Sequence, residues 1–432
     1  MSTSLSAEAL KQFAHSVFLP LKNGECVSCM FTAGGGKRTI IKEILSEQNI
    51  LKEIFANSYK KTLFVYVDPD EILELSNKAY LELLYICLKN VSDKKKVSTL
   101  EKKPDPKLSD IKDTLTEIVT AGWSVILILN DFEITLSLSP SIYLNLESLM
   151  SIDKSKIVYL FLSTVNLFDE NVLRSLHNLK FAVSRKVRYF PLFNKNDANM
   201  MIEQISNKLN INITDKLNSL LFELCGGHPQ LIKYSLHILA EKGNDHNFNT
   251  QKVQEFLLNH YQIKIVCADI WNFLSQKEKD VLKYIFTNGK LPLNNQDEID
   301  YLSNLRLIKK MDDNNYRVFG TLFEAFIKNK IPVQKLTYDS TTKKLLYGVK
   351  GCEDKFTYQE FKLLGHFVTH ENELVTRDQV GEVMWGKFFH EKYSDWSIDK
   401  TISTIRKKLD ALGFPSHFLV TLKKRGFSFS NP

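Results

Sequence analysis

The sequence predicts a multidomain α/β fold: a parallel β-sheet domain covered by helices, a helical lid, and two winged helices in tandem. The first half alternates short apolar runs with amphipathic segments, which is typical of a parallel sheet with helices on both faces. Beyond Phe190 the strand-length runs give way to helical patterns. A chain of 432 residues has room for about three domains. We expect the four parts to cover residues 1–190, 191–262, 263–333 and 334–432.

The sheet domain is predicted from five runs rich in β-branched and aromatic residues. They have the length of strands and cover residues 26–31, 62–67, 125–129, 157–162 and 187–190. Amphipathic helices are expected between them, for example at 40–50 and 71–88. The lysine-rich stretch 92–109 contains two prolines and is expected to be an exposed loop.

A helical region and a small winged helix are expected next. Residues 197–241 have a helical pattern that is interrupted at residues 226–229, Gly-Gly-His-Pro. Ser275 and Glu278 then have the spacing of a capping box, in which each side chain bonds the backbone of the other. The pattern after Glu278, two helices and a short strand, predicts the first winged helix.

The composition indicates a water-soluble globular protein. Apolar residues make up 44% of the chain, and the net charge of +7 permits nucleic-acid binding without arguing for it. No apolar run reaches the roughly 18 residues of a membrane span, and the first residues lack the pattern of a secretion signal, so we expect a cytoplasmic protein. Cys26 and Cys29 form the only Cys-x-x-Cys pair. Without a second pair to complete a zinc site, they are predicted to be buried free thiols.

Residues 356–427 contain the most specific pattern in the chain. Thr357 and Glu360 have capping-box spacing before one helix, and Thr376 is expected to cap a second. A third helix is expected to open at Ser397, and a β-hairpin follows it with its tip at 423–426. The third helix should direct one face into the core, formed by Ile398, Ile402, Ile405 and Leu409.

This pattern resembles the winged helix-turn-helix of OmpR-type response regulators. The residues that match are Thr357, Glu360, Thr376-Arg377-Asp378, Trp385, much of the run 397–409, and Thr421 with Arg425-Gly426-Phe427. Lys400-Thr401 depart from the pattern of that family, so the bases that would be read stay open. In the family this domain follows a phosphorylatable receiver. The residues before it here have a different pattern, so we expect a different switch.

The resemblance implies that the third helix and the hairpin tip bind double-stranded DNA. Between Lys400 and Arg425 there are seven basic residues and one acid, and such a face suits phosphates and guanine edges. A solvated basic face that binds a protein is the alternative. Self-association on repeated half-sites is also expected. The candidate DNA-binding residues are Lys400, Ser403, Thr404, Arg406, Lys407 and Arg425.

A second motif lies between the first predicted strand and the helix after it, where a phosphate-binding loop belongs. Gly36-Lys37 match a Walker A motif, but Phe31 stands at the first glycine and Arg38 at the hydroxyl that ligates Mg²⁺. Thr39 comes one residue late, and one step turns a helix by about 100°, so Thr39 should point away from a metal. A plain glycine turn is the alternative. The candidate nucleotide-binding residues are Gly34, Gly35, Gly36, Lys37, Arg38, Thr39 and Pro229.

The third predicted strand ends in Asn130-Asp131, where a Walker B motif has two acids. The first acid orients Mg²⁺ and the second activates water, so Asn130 removes the first and Asp131 keeps the second. Two changes around one ion predict doubtful Mg²⁺ binding, no metal-ligand set, and poor or absent hydrolysis. Asp131 is the catalytic candidate only if hydrolysis survives, and Arg38 is expected to replace part of the metal charge.

Two further motifs extend the likeness to nucleotide-binding modules. Thr164 and Asn166 follow the fourth predicted strand, and polar residues there resemble the sensor position of AAA-type ATPases. Gly227-His228-Pro229, with a helix and a winged helix after it, resembles the glycine–proline motif of STAND NTPases, in which the proline lies near the nucleotide base. The resemblance implies a STAND-like module that binds ATP or ADP.

Together these patterns predict a sequence-specific DNA-binding transcription regulator controlled by a STAND-like nucleotide-binding module. Two other functions fit the same patterns. One is an origin-recognition-type DNA-remodelling ATPase, which DNA-stimulated ATP turnover would favour. The other is a non-enzymatic scaffold in a defence or sensory complex, which the absence of nucleotide and DNA binding would favour.

Overall fold

The computed structural model describes residues 5–242, 250–312, 315–331, 335–348, 350–412, 414, 418–423 and 425–431. The chain divides into two compact units, Met1–Lys330 and Ile331–Pro432. The first unit contains the sheet domain, the helical region and the first winged helix. The second unit contains the other winged helix.

The sheet domain is built on a five-stranded parallel sheet with the order β2-β3-β4-β1-β5. Its strands confirm the five predicted runs, and each end lies within one residue of the prediction. Four of the runs are mostly apolar, which suits strands that are buried on both faces, whereas β5 is half-buried. β1 lies between β4 and β5, so the loop after β1 leaves from inside the sheet. The strands are β1 Val27–Met30, β2 Thr62–Val67, β3 Ser124–Leu129, β4 Ile157–Ser163 and β5 Val187–Tyr189.

The helices of the sheet domain differ from the prediction in two places. The helix expected at 40–50 is two helices, because Glu47 leaves the helical conformation with φ −78° and ψ 72°. The helix expected at 71–88 begins only at Asn77, where the Ser76 side chain caps it. The helices are α1 Ala7–Lys22, α2 Lys37–Ser46, α3 Gln48–Phe55, α4 Asn77–Lys94, α5 Leu108–Thr120, α6 Ser141–Met150, α7 Glu170–Ser175 and α8 Lys180–Val183.

The predicted loop at 92–109 is shorter than expected, and one buried lysine explains why. α4 continues to Lys94, and within it Lys89 is fully buried. Its ammonium pairs with Asp93 at 2.8 Å and donates to the carbonyl of Leu100 at 2.6 Å. The charge is therefore satisfied by the last turn of α4 and by the loop after it, which folds back onto the helix.

The helical region confirms the break at residues 226–229 and adds a second one. α9 ends where Asn210 adopts a left-handed conformation with φ 53°, and Thr214 caps the next helix. At the predicted break, Gly227 has φ +82°, and a Cβ there would lie 2.1 Å from a backbone oxygen. Only glycine fits that position. The helices are α9 Lys195–Leu209, α10 Asp215–Cys225, α11 Pro229–Glu241, α12 Thr250–Asn259 and α13 Tyr261–Asn272.

The first winged helix follows directly. Ser275 and Glu278 form the predicted capping box at the start of α14. β6 and β7 pair antiparallel. The elements are α14 Gln276–Asn288, α15 Gln296–Asn304, β6 Ile308–Lys310, β7 Tyr316–Val318 and α16 Thr321–Lys328.

The second unit opens with a three-stranded antiparallel sheet that the sequence did not predict. Its strands are β8 Leu336–Asp339, β9 Lys344–Tyr347 and β10 Lys350–Gly351. They are short, and β8 and β9 carry few buried residues, so their apolar pattern is weak.

The rest of the second unit is the predicted winged helix-turn-helix. Thr357 with Glu360, and Thr376 with Gln379, form capping boxes. The third helix begins at Asp395 under a Ser394 cap, so the predicted start at Ser397 was wrong by two residues. The sheet order is β11-β13-β12. The elements are α17 Tyr358–Thr369, β11 Leu374–Thr376, α18 Arg377–Trp385, α19 Phe389–Lys392, α20 Asp395–Ala411, β12 Leu419–Leu422 and β13 Gly426–Phe429.

Two simpler predictions are also confirmed. Cys26 and Cys29 are buried free thiols, and burial raises the pKa of the Cys26 thiol above its ordinary value. In the part of the chain that the structure describes, no helix has the length and apolar character needed to cross a membrane.

Candidate functional site

The loop between β1 and α2 has the conformation of a tight glycine turn. Gly34 and Gly36 have φ of +70° and +87°, and Gly36 is the residue before the first turn of α2. A Cβ on Gly34 would lie 1.9 Å from the Gln230 side chain, so a larger residue would clash. The Gly35 N–H donates to the Thr32 carbonyl at 2.8 Å, so it is engaged within the loop and not free for a ligand. The remaining amides lie at a helix N-terminus, where backbone groups favour anions.

Lys37 lies in the first turn of α2 and is buried among groups from two other strands. Its ammonium is 2.6 Å from an Asp131 oxygen and 3.4 Å from a Glu133 oxygen, and it donates to the Thr164 hydroxyl at 3.0 Å. Asp131 and Glu133 follow β3, and Thr164 follows β4. The carboxyl ends of parallel strands meet at one edge of the sheet. The structure thus brings together Lys37, Asp131 and the predicted sensor segment.

Glu133 is a site residue that was not predicted from the sequence. One of its oxygens pairs with Lys37 and accepts from the Thr164 N–H at 3.0 Å. Asp131 has φ 47° and begins a short 3-10 turn, Phe132–Ser137, so the chain turns back and Glu133 faces the lysine. The sequence does show a carboxylate two residues after Asp131, the second Walker B position. Only the turn at Asp131 brings that carboxylate to Lys37.

Arg38 occupies a cluster of three carboxylates. Its Nη2 lies 3.0 Å from Asp68, 2.5 Å from Asp70 and 3.4 Å from Asp131. One oxygen of each acid lies within 4.8 Å of the others, a spacing that also suits a divalent cation. The three acids raise the pKa of the guanidinium above its ordinary value, the hydrogen bond to Asp70 most strongly. The guanidinium of Arg38 therefore offsets part of the negative charge of the cluster.

The site also contains polar atoms that other protein groups leave unused. Over the described ranges, Thr32 Oγ1, Asn130 Oδ1 and Glu133 Oε2 are buried without a hydrogen-bond partner. Buried polar atoms are nearly always satisfied, so unpaired ones indicate a missing water or ligand. The Thr32 hydroxyl can donate to a phosphate oxygen, while the other two atoms accept and suit a water. The donors at Thr32, Lys37 and the start of α2 thus fit a phosphate group, and Thr39 is exposed as expected.

The Gly-Gly-His-Pro break contacts this loop directly. The fully buried His228 places its Nε2 2.7 Å from the carbonyl oxygen of Ala33, and its Nδ1 accepts from the Leu231 N–H. Burial lowers the pKa of His228 to about 4, so the ring is neutral and its Nε2–H donates. Pro229 is buried as the first residue of α11. The start of α11 therefore bonds to the loop. The His228 ring also stacks on Phe319, with the ring centroids 6.0 Å apart.

A second link joins the edge of the sheet to the first winged helix. Asn166, which follows β4, donates to a Glu278 oxygen at 3.0 Å. The other Glu278 oxygen accepts from the Ser275 N–H at 2.9 Å and caps α14. Glu278 is 1% exposed, and burial raises its pKa. The predicted sensor segment thus lies between the Lys37 site and the first winged helix.

The exposed face of α20 is the candidate nucleic-acid interface. Lys400, Ser403 and Lys407 are exposed, and Thr404 is half-buried. The opposite face is the core, as predicted, with Ile398, Ile402, Ile405 and Leu409 buried. Arg425 is exposed at the hairpin between β12 and β13; residue 424 of that tip lies outside the described residues.

Arg406 differs from the other candidate DNA-binding residues. Its guanidinium donates twice to the Leu419 carbonyl, at 2.9 and 2.6 Å, and once to the Thr421 hydroxyl at 2.9 Å. Burial lowers its pKa from the ordinary value. The side chain therefore joins α20 to β12 and is directed to the hairpin, not to solvent.

The likeness to known proteins covers the two units separately. Residues 353–429 match the family model "Transcriptional regulatory protein, C terminal". The response regulator SaeR of Staphylococcus aureus is 28% identical over 101 residues, which are 23% of this chain and 43% of that protein. This chain therefore spans less than half the length of that curated relative.

The solved structures that resemble the chain cover its first unit. The Walker-type ATPase PABY2304 of Pyrococcus abyssi has a TM-score of 0.50 at 12% identity, over 75% of this chain and 96% of that one. The ORC2 protein of Aeropyrum pernix, in ADPNP–ADP complexes, has a TM-score of 0.41 at 14% identity, over 75% and 93%. The former likeness shows the fold alone. The chain thus joins a P-loop ATPase fold to an OmpR-type DNA-binding domain of transcriptional regulators.

Proposed function

We propose that this protein is a sequence-specific DNA-binding transcription regulator whose DNA binding is controlled by a nucleotide in its P-loop unit. The exposed face of α20 carries the proposal. Lys400, Ser403 and Lys407 face solvent on a helix whose other side is fully packed. A rigid helix with cationic and hydroxyl groups on one face suits the major groove of DNA.

The residues of this face have distinct roles in the proposal. Lys400 and Lys407 bind phosphates or guanine edges, and Ser403 reaches phosphates or bases. The Thr404 hydroxyl donates to the Lys400 carbonyl at 2.9 Å, so it is left to accept from a donor of a base. Arg425, exposed at the hairpin tip, enters the adjacent minor groove. Arg406 holds the hairpin against α20, so that helix and tip meet the DNA as one surface. Its direct contact with DNA would require it to leave Leu419.

The proposed ligand of the first unit is ATP or ADP. Thr32, Lys37 and the free amides at the start of α2 would hold its phosphates. Lys37 already contacts two carboxylates, so it must loosen at least one of these pairs to meet a phosphate. Thr164 bonds both Lys37 and Glu133, and Asn166 bonds the first winged helix two residues later. Nucleotide binding would therefore alter the hydrogen bond between Asn166 and Glu278 at the start of α14. The contact of His228 with the loop supports the STAND-like reading.

Hydrolysis is proposed to be weak. Asn130 stands at the first Walker B position, and Arg38 fills the carboxylate cluster. Both oxygens of Asp131 contact cations of the chain, so a water would have to compete with these cations for either oxygen. Glu133, with one buried oxygen that no described group bonds, is the better candidate to activate a water.

Selection of DNA fragments tests the proposed function. The full chain is mixed with fragmented DNA of its own genome, and the bound fragments are sequenced. The double variant Lys400→Ala/Lys407→Ala is run in parallel, with Lys344→Ala on β9 as a matched loss of an exposed lysine in the same unit. We expect a few sharp sites that the double variant loses and the control keeps. Paired half-sites in them would indicate a dimer on DNA.

Three other results would contradict the proposal. Recovery of much DNA without sharp sites would favour a DNA-remodelling ATPase, because such binding depends mainly on phosphates. No recovery at all would favour the scaffold function. Sites that persist in the double variant would show that the interface lies elsewhere.

A further inference from the structure

Trp396 lies on the same face of α20 as the candidate DNA-binding residues. With about 100° between successive residues of a helix, positions 396, 400, 403 and 407 fall within about 40° of one line. Trp396 is 69% exposed there, whereas the core residue two positions later, Ile398, is fully buried. An indole on a face of lysines and a serine leaves a large apolar surface in water, which indicates a partner with an apolar feature.

Lys400 orders this side chain. Its ammonium lies over the indole ring, 4.8 Å from the centroid, within the range of a cation–π contact. The lysine covers one face of the ring, and the rest of the ring stays exposed. The ammonium of Lys400 and the exposed edge of the Trp396 ring lie side by side. This arrangement suits the DNA major groove, where phosphates flank the base edges.

The neighbouring aromatic residues do not extend this surface. Tyr393 packs its ring against Trp385 and Phe389, at 6.2 and 5.4 Å. Trp396 instead contacts Lys400, the next residue of the exposed face. Trp396 is therefore continuous with the candidate DNA interface and not with that aromatic cluster.

We propose that Trp396 determines base specificity by contacting the C5-methyl group of a thymine in the major groove. This inference rests on the proposed DNA-binding function. Thymine is the one standard base that presents a methyl group in this groove, and apolar side chains read it by contact. Lys400, Ser403 and Lys407 supply the polar contacts around it. The site read by α20 then contains an A·T pair opposite the first turn of the helix.

Replacement of thymine by deoxyuridine isolates this contact, because deoxyuridine lacks only the methyl group. Each thymine of a site obtained by fragment selection is replaced in turn, and the affinity of the full chain is measured. We expect wild-type binding to weaken about fourfold at one position in each half-site, the value of one buried methyl group. Trp396→Ala should bind the thymine and deoxyuridine sites equally there, and the combination measures the pairwise contact.

Phe388→Ala provides the matched control, since Phe388 is 55% exposed and lies outside α20; it should keep the full deoxyuridine effect. Trp396 is an exposed side chain, and an unchanged melting temperature of its variant would show that the fold is kept. Wild-type binding that is insensitive at every thymine would refute the inference, and so would an effect that persists in Trp396→Ala. A chain that selects no site would refute the proposed function and the inference with it.

Discussion

Arg406 gives the sharpest test of how the second unit presents its DNA-binding surface. Its guanidinium makes three hydrogen bonds to β12, two of them to the carbonyl of Leu419. The position on α20 alone suggests a phosphate contact, but the structure uses the charge to hold the hairpin. We therefore expect Arg406→Ala to act through stability and position, not through the loss of a phosphate contact.

The magnitude follows from those bonds. A hydrogen bond to a charged group contributes about 1.5–3 kcal/mol when buried, and a partly exposed pair contributes about 1 kcal/mol or less. Arg406 is half-buried, so its three bonds together should stabilise the unit by about 2 kcal/mol. The free energy of unfolding of the variant, measured in urea, should be lower by about 2 kcal/mol. Its DNA affinity should fall on all sequences alike, because the hairpin tip is no longer fixed.

The salt dependence of DNA binding separates this role from a phosphate contact. Each phosphate contact contributes about 0.9 to the slope of log affinity against log salt. Lys407→Ala should lower the slope by about that amount with little effect on stability. Arg406→Ala should lower stability and leave the slope unchanged. Suppose the slope falls as much in Arg406→Ala as in Lys407→Ala and stability is unchanged. That result would refute the conclusion that Arg406 holds the hairpin against α20.

Three further predictions concern the first unit. His228 has a pKa of about 4, against 6.5 in the unfolded chain, so the unfolded state binds more protons between these values. The free energy of unfolding, measured in urea, should therefore fall by about 1 kcal/mol between pH 7.5 and 5.5. The variant His228→Gln should not show this fall. Asn166→Ala should cost about 1–3 kcal/mol in the same assay, because Glu278 stays buried without its side-chain donor; an unchanged midpoint would contradict that link. Gly227→Ala should cost more than about 4 kcal/mol, since its Cβ would meet a backbone oxygen at 2.1 Å. Gly289→Ala, with a similar φ but open space, should cost only about 1–2 kcal/mol; equal melting temperatures for the two would show that the close contact does not matter.

The sequence was most informative where local physics decides the structure. Four of the five strands of the sheet are mostly apolar runs, and burial on both faces leaves few other conformations for them. The capping boxes at Ser275, Thr357 and Thr376 depend on residues three apart, so they could be predicted without tertiary information. Lys37 and Asp131 were both assigned to one nucleotide site, and the structure brings them within 2.6 Å of each other because parallel strands end at one edge.

The sequence was least informative where contacts distant in the chain decide. The role of Glu133 depends on the left-handed turn at Asp131, and no pattern required that turn. Arg406 shares the helix spacing of a DNA contact, yet β12 is close enough to bind it. The fully buried Lys89 sits in a segment that looked like the edge of a solvated loop. In each case tertiary contacts override a reasonable local pattern.

One binding measurement tests whether a nucleotide in the first unit controls DNA binding by the second. The affinity of the full chain for a selected DNA site is measured without nucleotide, with ATP and with ADP, and nucleotide binding is measured in the same samples. If Lys37 and its partners control the DNA-binding domain, one nucleotide state should change the DNA affinity by about fivefold or more. Nucleotide binding with equal DNA affinity in all three states would contradict this control of DNA binding, and so would a chain that binds no nucleotide.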